Sequence, residues 1–135
     1  MSAMNISIAA KQSGLTSKTI RYYEEIGLLP PASRGESGYR DYSSRDVDLQ
    51  RFIRRARDLG FSVKECRSLI ELFLDPDRAS RDVQELAQAK INEIDHRIKE
   101  FKLARAELKA LTEACPGDEN SDCSILDRLS GDCSD

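Results

Sequence analysis

The sequence of 135 residues has no tryptophan, a single histidine and no apolar run long enough to cross a membrane or to form a signal peptide. It also has no Cys-x-x-Cys pair and no glycine-rich phosphate loop. These absences argue against a membrane protein, a thiol oxidoreductase and a nucleotide-dependent enzyme. We therefore expect a cytoplasmic protein that is not an enzyme.

Residues typical of β-strands are also scarce, whereas Ala, Leu, Glu, Lys and Arg are abundant. This composition predicts a mostly α-helical protein. Four cysteines are present, and without a secretion signal they favour reduced thiols, metal ligands or redox sensing over a disulfide scaffold.

The net charge of −3 is unevenly distributed along the chain. Residues 1–67 hold 12 Lys+Arg against 8 Asp+Glu (+4), while residues 68–135 hold 9 against 16 (−7). A basic N-terminal half suits a domain that binds nucleic acid, although local bias on a solvated surface gives the same numbers.

Near the N-terminus, Gly14 separates two segments with helical patterns. Ser7 is a plausible N-cap for a helix over residues 8–13, and Thr16 or Ser17 caps a second helix to about Glu25. Two short helices joined by a tight turn predict a helix-turn-helix, whose second helix reads the major groove. The side chains expected on its exposed face are Lys18, Arg21 and Tyr22, with Ile20 and Tyr23 facing inward. The same arrangement also occurs in proteins that do not bind DNA.

Pro30 and Pro31 end the helical pattern, and residues 34–40 resemble the tip of a β-hairpin. Such a hairpin beside a helix-turn-helix is a wing. Tyr39 and Arg40 would reach phosphates or a minor-groove edge there. The alternative is that Tyr39 only packs and Arg40 is solvated.

Two further helices are predicted by capping boxes at Ser43 with Asp46 and at Ser62 with Glu65. The first helix runs up to Gly60 and the second ends at the Asp-Pro-Asp of residues 75–77. The expected inward residues are Leu49, Phe52, Ile53, Ala56 and Leu59 on the first helix, and Cys66, Leu69, Ile70 and Phe73 on the second. We interpret Cys66 as an apolar core residue.

No glycine or proline interrupts residues 80–114, which predict one helix roughly 50 Å long. Its apolar residues keep mostly to the a and d positions of a heptad, with Arg105 and Thr112 as polar breaks. The stripe consists of Ala87, Ile91, Ile94, Ile98, Phe101, Leu108 and Leu111. One helix cannot bury this stripe alone, so we predict a homodimer, the alternative being that the helix folds back on its own head.

After this helix, Cys115 and Cys123 enclose a short loop. Pro116 ends the helix at about Cys115, and Gly117 lets the chain turn. A capping box at Ser124 with Asp127 predicts a short final helix. The two thiols are then expected to face each other from the ends of the loop.

Three segments together resemble the MerR family of metal-responsive transcription regulators: TSKTIRYYEEIGLL at 16–29, GYRDY at 38–42 and IRRARDLGF at 53–61. The segment ACPGDENSDC at 114–123 and the residues LSG at 129–131 are similar to the copper-efflux members of that family. The likeness covers nearly the whole chain.

The resemblance implies a winged helix-turn-helix head, a long dimerisation helix paired as an antiparallel coiled coil, and a C-terminal metal-binding loop. We place these parts at residues 1–75, 76–114 and 115–135. It also implies activation of a promoter whose spacer is too long for RNA polymerase until the bound homodimer distorts the DNA. By position, the expected DNA-binding residues are Thr16, Lys18, Arg21, Tyr22, Arg34, Tyr39, Arg40 and Arg54.

The resemblance assigns Cys115 and Cys123 as metal ligands, and Ser80 stands where the zinc and mercury branches carry a cysteine. Soft thiolates favour Cu(I), Ag(I) or Au(I), whereas Zn(II) prefers four ligands. Two thiolates and one monovalent cation total −1, a charge that the N-terminus of the long helix near Ser80 would tolerate. The expectation is a regulator of copper efflux genes. The alternatives are another soft metal (Zn, Hg or Cd), or oxidants acting through a disulfide of the same pair, and Cys133 receives no role.

Overall fold

The computed structural model describes residues 4–34, 40–119 and 121–131. Within these residues the chain forms six α-helices and one two-stranded antiparallel hairpin, which confirms the mostly α-helical class. The elements are α1 Ile6–Ser13, α2 Ser17–Glu25, β1 Ser33–Arg34, β2 Arg40–Asp41, α3 Ser44–Asp58, α4 Val63–Leu74, α5 Ser80–Ala114 and α6 Ser124–Ser130.

The chain divides into two compact units, Met1–Ala87 and Gln88–Asp135. The first unit contains the hairpin and the helices α1 to α4. The second contains most of α5 and all of α6. The three functional parts predicted from the sequence, with boundaries at residues 75 and 114, are defined by role and not by compact folding. They stay a prediction.

The helix-turn-helix forms where the sequence predicts it, with one correction at its start. The N-cap of α1 is Asn5, whose Oδ1 accepts a hydrogen bond from the Ile8 N–H at 2.9 Å, so the assignment of Ser7 was wrong. Asn is as good an N-cap as Ser, and it lies two residues earlier. At the turn, Gly14 has φ +84°, a left-handed conformation that suits glycine. Thr16 caps α2 by accepting from the Thr19 N–H at 3.0 Å, as predicted.

Both predicted capping boxes are present, at Ser43 with Asp46 on α3 and at Ser62 with Glu65 on α4. Two of the expected inward residues are largely exposed: Leu59 at 66 % and Phe73 at 47 %. Leu59 is the C-cap residue of α3, and Phe73 lies in the last turn of α4, where its ring stacks on that of Phe52 with the centroids 4.7 Å apart. The buried hydrophobic residues are Ala9, Ile20, Tyr23, Leu28, Leu29, Tyr42, Val47, Ile53, Ala56, Phe61, Cys66 and Ile70.

The long helix α5 has the predicted bounds, since its 35 residues contain neither glycine nor proline. Along its apolar stripe, Ile91, Ile98 and Phe101 are 49 %, 46 % and 73 % exposed in the single chain. Among the residues that the structure describes, no helix is both long and apolar enough to span a bilayer. The stripe is therefore a large apolar surface on an otherwise polar helix.

Candidate metal centre and DNA-binding surface

The two cysteines of the C-terminal loop are brought together by the ends of two helices. Cys115 follows the last residue of α5, and its N–H donates to the Leu111 carbonyl at 3.0 Å. Gly117 has φ +65° and allows the chain to reverse. Cys123 is the N-cap of α6, and the two Sγ atoms lie 3.6 Å apart. This distance is far beyond the ~2.05 Å of a disulfide, so both are free thiols.

The helix that carries Cys123 is attached to the end of α5. The Ser124 hydroxyl donates to the Leu111 carbonyl at 2.7 Å, and Arg128 Nε lies 2.7 Å from Glu107 Oε1. The predicted capping box at Ser124 with Asp127 was wrong, because Ser124 is inside the helix and its hydroxyl bonds to α5 instead. Leu111 therefore accepts from both ends of the loop, which fixes Cys123 with respect to Cys115.

The surroundings of Cys123 favour its thiolate. The backbone N–H of Leu126, which faces the sulfur without forming a capping hydrogen bond, lowers the pKa of Cys123 most, followed by the hydrogen bond from the Cys115 thiol. Burial and the nearby Asp127 carboxylate act in the opposite direction. Of the two thiols, that of Cys123 therefore loses its proton more readily than an ordinary cysteine thiol does.

The chemistry and spacing of this pair fit a metal ion held by two sulfurs. With metal–sulfur bonds of about 2.3 Å, two sulfurs on one ion lie at most about 4.6 Å apart, and the observed 3.6 Å is within that reach. Within the described residues, no group of three or more His, Cys, Asp or Glu side chains is arranged to hold an ion. The single histidine, His96, instead pairs with Glu100 at 3.1 Å on the surface of α5.

The other residue expected near the metal, Ser80, and the two remaining cysteines lie elsewhere in the chain. Ser80 is the exposed first residue of α5, at the opposite end of that helix from Cys115. Cys66 is fully buried in the first unit, as expected for a core residue, and Cys133 lies outside the described residues.

The exposed face of α2 carries the residues expected to read DNA. Lys18, Arg21 and Tyr22 are all exposed, with Tyr22 at 52 %, while Ile20 and Tyr23 on the other face are buried. Thr16 has a local role as the N-cap and also donates to Thr19 Oγ1 at 2.8 Å. The N-terminal half of α2 thus presents two cations and a phenol to solvent.

The wing is present as the antiparallel pair β1 and β2, in which Ser33 faces Asp41 and Arg34 faces Arg40. Tyr39 lies outside the described residues, and only the backbone of Arg34 and Arg40 is described. Arg54 lies on α3 against the helix-turn-helix turn: a Cβ at Gly14 would come within 2.1 Å of Arg54 Nη1. Its guanidinium pairs loosely with Asp58 at 3.7 Å and is half exposed.

Several side chains that hold this head together were not expected from the sequence. Arg51 donates to the Gln12 carbonyl at 3.0 Å, and Arg67 donates to the Ile26 and Gly27 carbonyls at 3.1 Å each. Glu24 accepts from the Ala32 N–H and from the Tyr42 hydroxyl. The arginine contacts join residues 39 to 41 positions apart, so no local pattern in the sequence reports them.

Known regulatory proteins resemble this chain over nearly its whole length. A family profile described as MerR HTH family regulatory protein matches residues 4–72, and one described as MerR, DNA binding, matches residues 49–111. The regulator HmrR of Rhizobium leguminosarum bv. viciae is 54 % identical over 127 residues, which is 94 % of this chain and 98 % of that protein. The regulator CueR of Salmonella typhimurium is 48 % identical over 130 residues, or 96 % of this chain and 94 % of that protein.

A solved structure of similar fold is that of the transcription regulator PbrR691 from Ralstonia metallidurans CH34 in complex with lead(II). It superposes with a TM-score of 0.78 at 31 % identity, covering 93 % of this chain and 98 % of that one. Both the head and the long helix therefore have counterparts in regulators of this kind.

Proposed function

The chain belongs to the MerR family of helix-turn-helix transcription regulators, and from that premise we propose that it is a copper-responsive activator of copper efflux and detoxification genes. It is a regulator and not an enzyme, as expected. In this proposal a homodimer in the cytoplasm binds promoter DNA and distorts it so that RNA polymerase can initiate.

One observation carries the choice of effector: Cys115 Sγ and Cys123 Sγ meet 3.6 Å apart at the ends of one loop, and among the described residues no third His, Cys, Asp or Glu joins them to hold an ion. Two soft thiolates without further ligands suit a monovalent soft ion, which is Cu(I), with Ag(I) and Au(I) as chemical equivalents. A tetrahedral Zn(II) site would need two more donors. The copper reading also agrees with the likeness of residues 114–123 to the copper-efflux branch.

Ser80 of a second copy is proposed to lie beside the occupied loop without binding the ion. The N-terminus of α5 is the positive end of a helix dipole and therefore favours a site of charge −1. A hydroxyl at residue 80 rather than a thiol withholds the third sulfur that a divalent ion would use.

The proposed DNA surface combines the exposed face of α2 with the wing and the turn-facing side of α3. Its base-reading and phosphate-binding residues are proposed to be Thr16, Lys18, Arg21, Tyr22, Arg34, Tyr39, Arg40 and Arg54. Lys18 and Arg21 stand free in solvent on the helix expected in the major groove. Counterion release at these cations would dominate the affinity.

The effector acts through the attachment of α6. A metal ion supplies a link between the two sulfurs, and α6 is already joined to α5 through Ser124, Arg128 and their partners. A bound ion can shift the dimer between two arrangements only by its differential affinity for them. Loss of one sulfur should therefore remove the response to metal and leave DNA binding intact.

The runner-up is a sensor of another soft metal or of oxidants through the same two cysteines. The related PbrR691 structure contains lead(II), a divalent ion. Oxidation would need the two sulfurs to approach from 3.6 Å to about 2.05 Å. Activation by oxidant in the absence of metal would favour this second function.

The test uses Cys115→Ser and Cys123→Ser in a reconstituted transcription assay with Cu(I), with Cys133→Ser as a matched control. We expect all three variants to shift promoter DNA in a gel, and only Cys133→Ser to keep activation by copper. Full copper activation by Cys115→Ser or Cys123→Ser would contradict the proposed ligand pair.

A further inference from the structure

The carboxylate of Glu24 joins the recognition helix to both roots of the wing. Glu24 lies in the last turn of α2, and its Oε2 accepts from the Ala32 N–H at 2.8 Å. Its Oε1 accepts from the Tyr42 hydroxyl at 2.7 Å. Ala32 directly precedes β1 and Tyr42 directly follows β2, so one side chain contacts the hairpin at its entry and at its exit.

The hairpin needs such an attachment. Each of its strands has two residues, and the pairing consists of Ser33 with Asp41 and Arg34 with Arg40. An isolated two-stranded hairpin is at best marginally stable in water, even when it is longer than this. Its orientation must therefore come from contacts with the rest of the head.

Within the described residues, the backbone supplies a second anchor at this root. The Met4 N–H donates to the Tyr42 carbonyl at 2.9 Å, and the Tyr42 N–H donates to the Met4 carbonyl at 2.7 Å. That anchor fixes the exit of the hairpin against the N-terminal segment. The bond from Ala32 to Glu24 fixes the entry, and it fixes it to the same helix that carries Lys18, Arg21 and Tyr22.

The Tyr42 ring makes the attachment rigid. Tyr42 is 1 % exposed and belongs to the hydrophobic core, while the Glu24 side chain is only partly buried. A buried phenol hydroxyl needs a partner, and a carboxylate is a stronger acceptor than a neutral oxygen. Arg21 lies three residues before Glu24, one turn away on α2, so helix and wing share one framework.

We propose that Glu24 is a positioning residue for DNA recognition: it sets the wing at a fixed place relative to the recognition helix, without touching DNA itself. The inference rests on the proposed function, in which both elements contact one DNA duplex. In this proposal an acidic residue aligns the recognition helix with the wing, although the residues expected to contact DNA are mainly cationic.

The test separates the acceptor role of Glu24 from its charge. Glu24→Gln and Glu24→Met remove the same charge, but Gln keeps one oxygen for the Ala32 N–H and can donate to the Tyr42 oxygen, whereas Met has no acceptor. Glu25→Met makes the same substitution at an exposed neighbouring position on the same helix, and so controls for the loss of one negative charge there. The probe is a duplex that the wild-type protein selects from a randomised library.

We expect Glu24→Met to bind this duplex about tenfold more weakly than Glu25→Met, with a salt slope shallower by about one because a wing phosphate contact is lost. Glu24→Gln should stay within about threefold of wild type. In the DNA-free protein, hydrogen exchange at the Ala32 amide should be faster in Glu24→Met alone. A purely structural role would lower the melting temperature and leave the salt slope unchanged.

Equal affinities and slopes for Glu24→Met and Glu24→Gln would overturn the proposal. If Glu24→Met does not fold, Tyr42→Phe is the substitute, because it removes one of the two hydrogen bonds to Glu24 with a smaller change. DNA affinity and a salt slope equal to those of wild type in Tyr42→Phe would also contradict the proposal. A wild-type protein that selects no duplex would contradict the proposed function, and the exchange at Ala32 would still decide whether Glu24 anchors the hairpin.

Discussion

Arg21 is exposed on the recognition helix, and its guanidinium is suited to bidentate contact with guanine or with phosphate. Replacing Arg21 with Ala should weaken operator binding about tenfold and make the salt slope shallower by about one. Lys102→Ala on α5 is the matched loss of one exposed positive charge and should change neither quantity. Affinity for the operator measured against salt concentration checks this, and binding that does not depend on salt would count against the DNA interface.

Ser124 is the residue whose part in the metal loop is visible only in the structure. Its hydroxyl bond to the Leu111 carbonyl joins a seven-residue helix, too short to be stable alone, to the end of α5. Ser124→Ala should cost about 1 kcal/mol of local stability and speed hydrogen exchange throughout α6.

Ser121→Ala, at an exposed position in the same loop, should leave the exchange of α6 unchanged. Equal exchange in the Ser124 and Ser121 variants would show that the Leu111 bond does not hold α6. The exposed pair of Arg128 with Glu107 would then be the remaining attachment, although surface pairs of this kind contribute only about 0–1 kcal/mol.

Among the elements, α4 has the clearest link between a local signal and stability. Ser62 and Glu65 form a capping box at its start, in which each side chain bonds to the backbone of the other residue. The same helix carries the buried residues Cys66 and Ile70. Ser62→Ala should lower the free energy of unfolding of the head by about 1 kcal/mol. Ser44→Ala, at the exposed first residue of α3, should stay within about 0.5 kcal/mol of wild type. Urea denaturation of the two variants gives the comparison, and equal midpoints would refute the cap.

The elements best predicted from the sequence are those whose signals are local. The helix α5 begins at Ser80 and ends at Ala114 as expected, because uninterrupted helix formers and the following Cys115-Pro116 define it. The capping boxes of α3 and α4 are likewise local, since a side chain and a backbone three residues apart form them. The facing cysteines also follow from a short loop between two helix ends.

The features that sequence reasoning missed depend on distant partners. Ser124 has the pattern of a capping box, but the Leu111 carbonyl, 13 residues away, takes its hydroxyl. Glu24 reaches Tyr42 across 18 residues, and Arg67 reaches Ile26 across 41. Such bonds are set by tertiary packing, which overrides local preference. The exposure of Leu59 and Phe73 has the same origin, because periodicity predicts a face but not where its covering ends.

For the whole molecule, the exposed stripe on α5 predicts a homodimer. Ile98 lies on the stripe, and Leu103 lies outside it on the same helix, exposed at 65 %. Ile98→Glu would bury a carboxylate in the seam and should yield monomers, whereas Leu103→Glu, the same kind of change, should remain dimeric. Sedimentation velocity of both variants and the wild type decides this. Monomeric wild-type protein, or equal behaviour of the two variants, would contradict the coiled coil.

The uneven charge along the chain agrees with the proposed placement of DNA binding in its N-terminal part. The residues up to 67 carry +4 and those from 68 onward carry −7, so the part that contains the helix-turn-helix and the wing is net positive, mainly because it holds 8 Asp+Glu against 16 in the rest. The acidic part contains the apolar stripe of α5 and the thiols of Cys115 and Cys123. DNA binding and metal sensing are proposed for different parts of the chain, so we expect loss of metal binding to leave DNA binding intact.

In the proposed mechanism, two sulfurs alone hold a monovalent soft ion and thereby switch transcription. The most direct measurement is a titration of the reduced protein with Cu(I), and in parallel with Zn(II), against a competing chelator, with the metal environment read by X-ray absorption. We expect one Cu(I) for each Cys115–Cys123 pair, bound through two short metal–sulfur bonds, and Zn(II) held far more weakly. A four-coordinate ion, a preference for Zn(II) or no binding at all would contradict it.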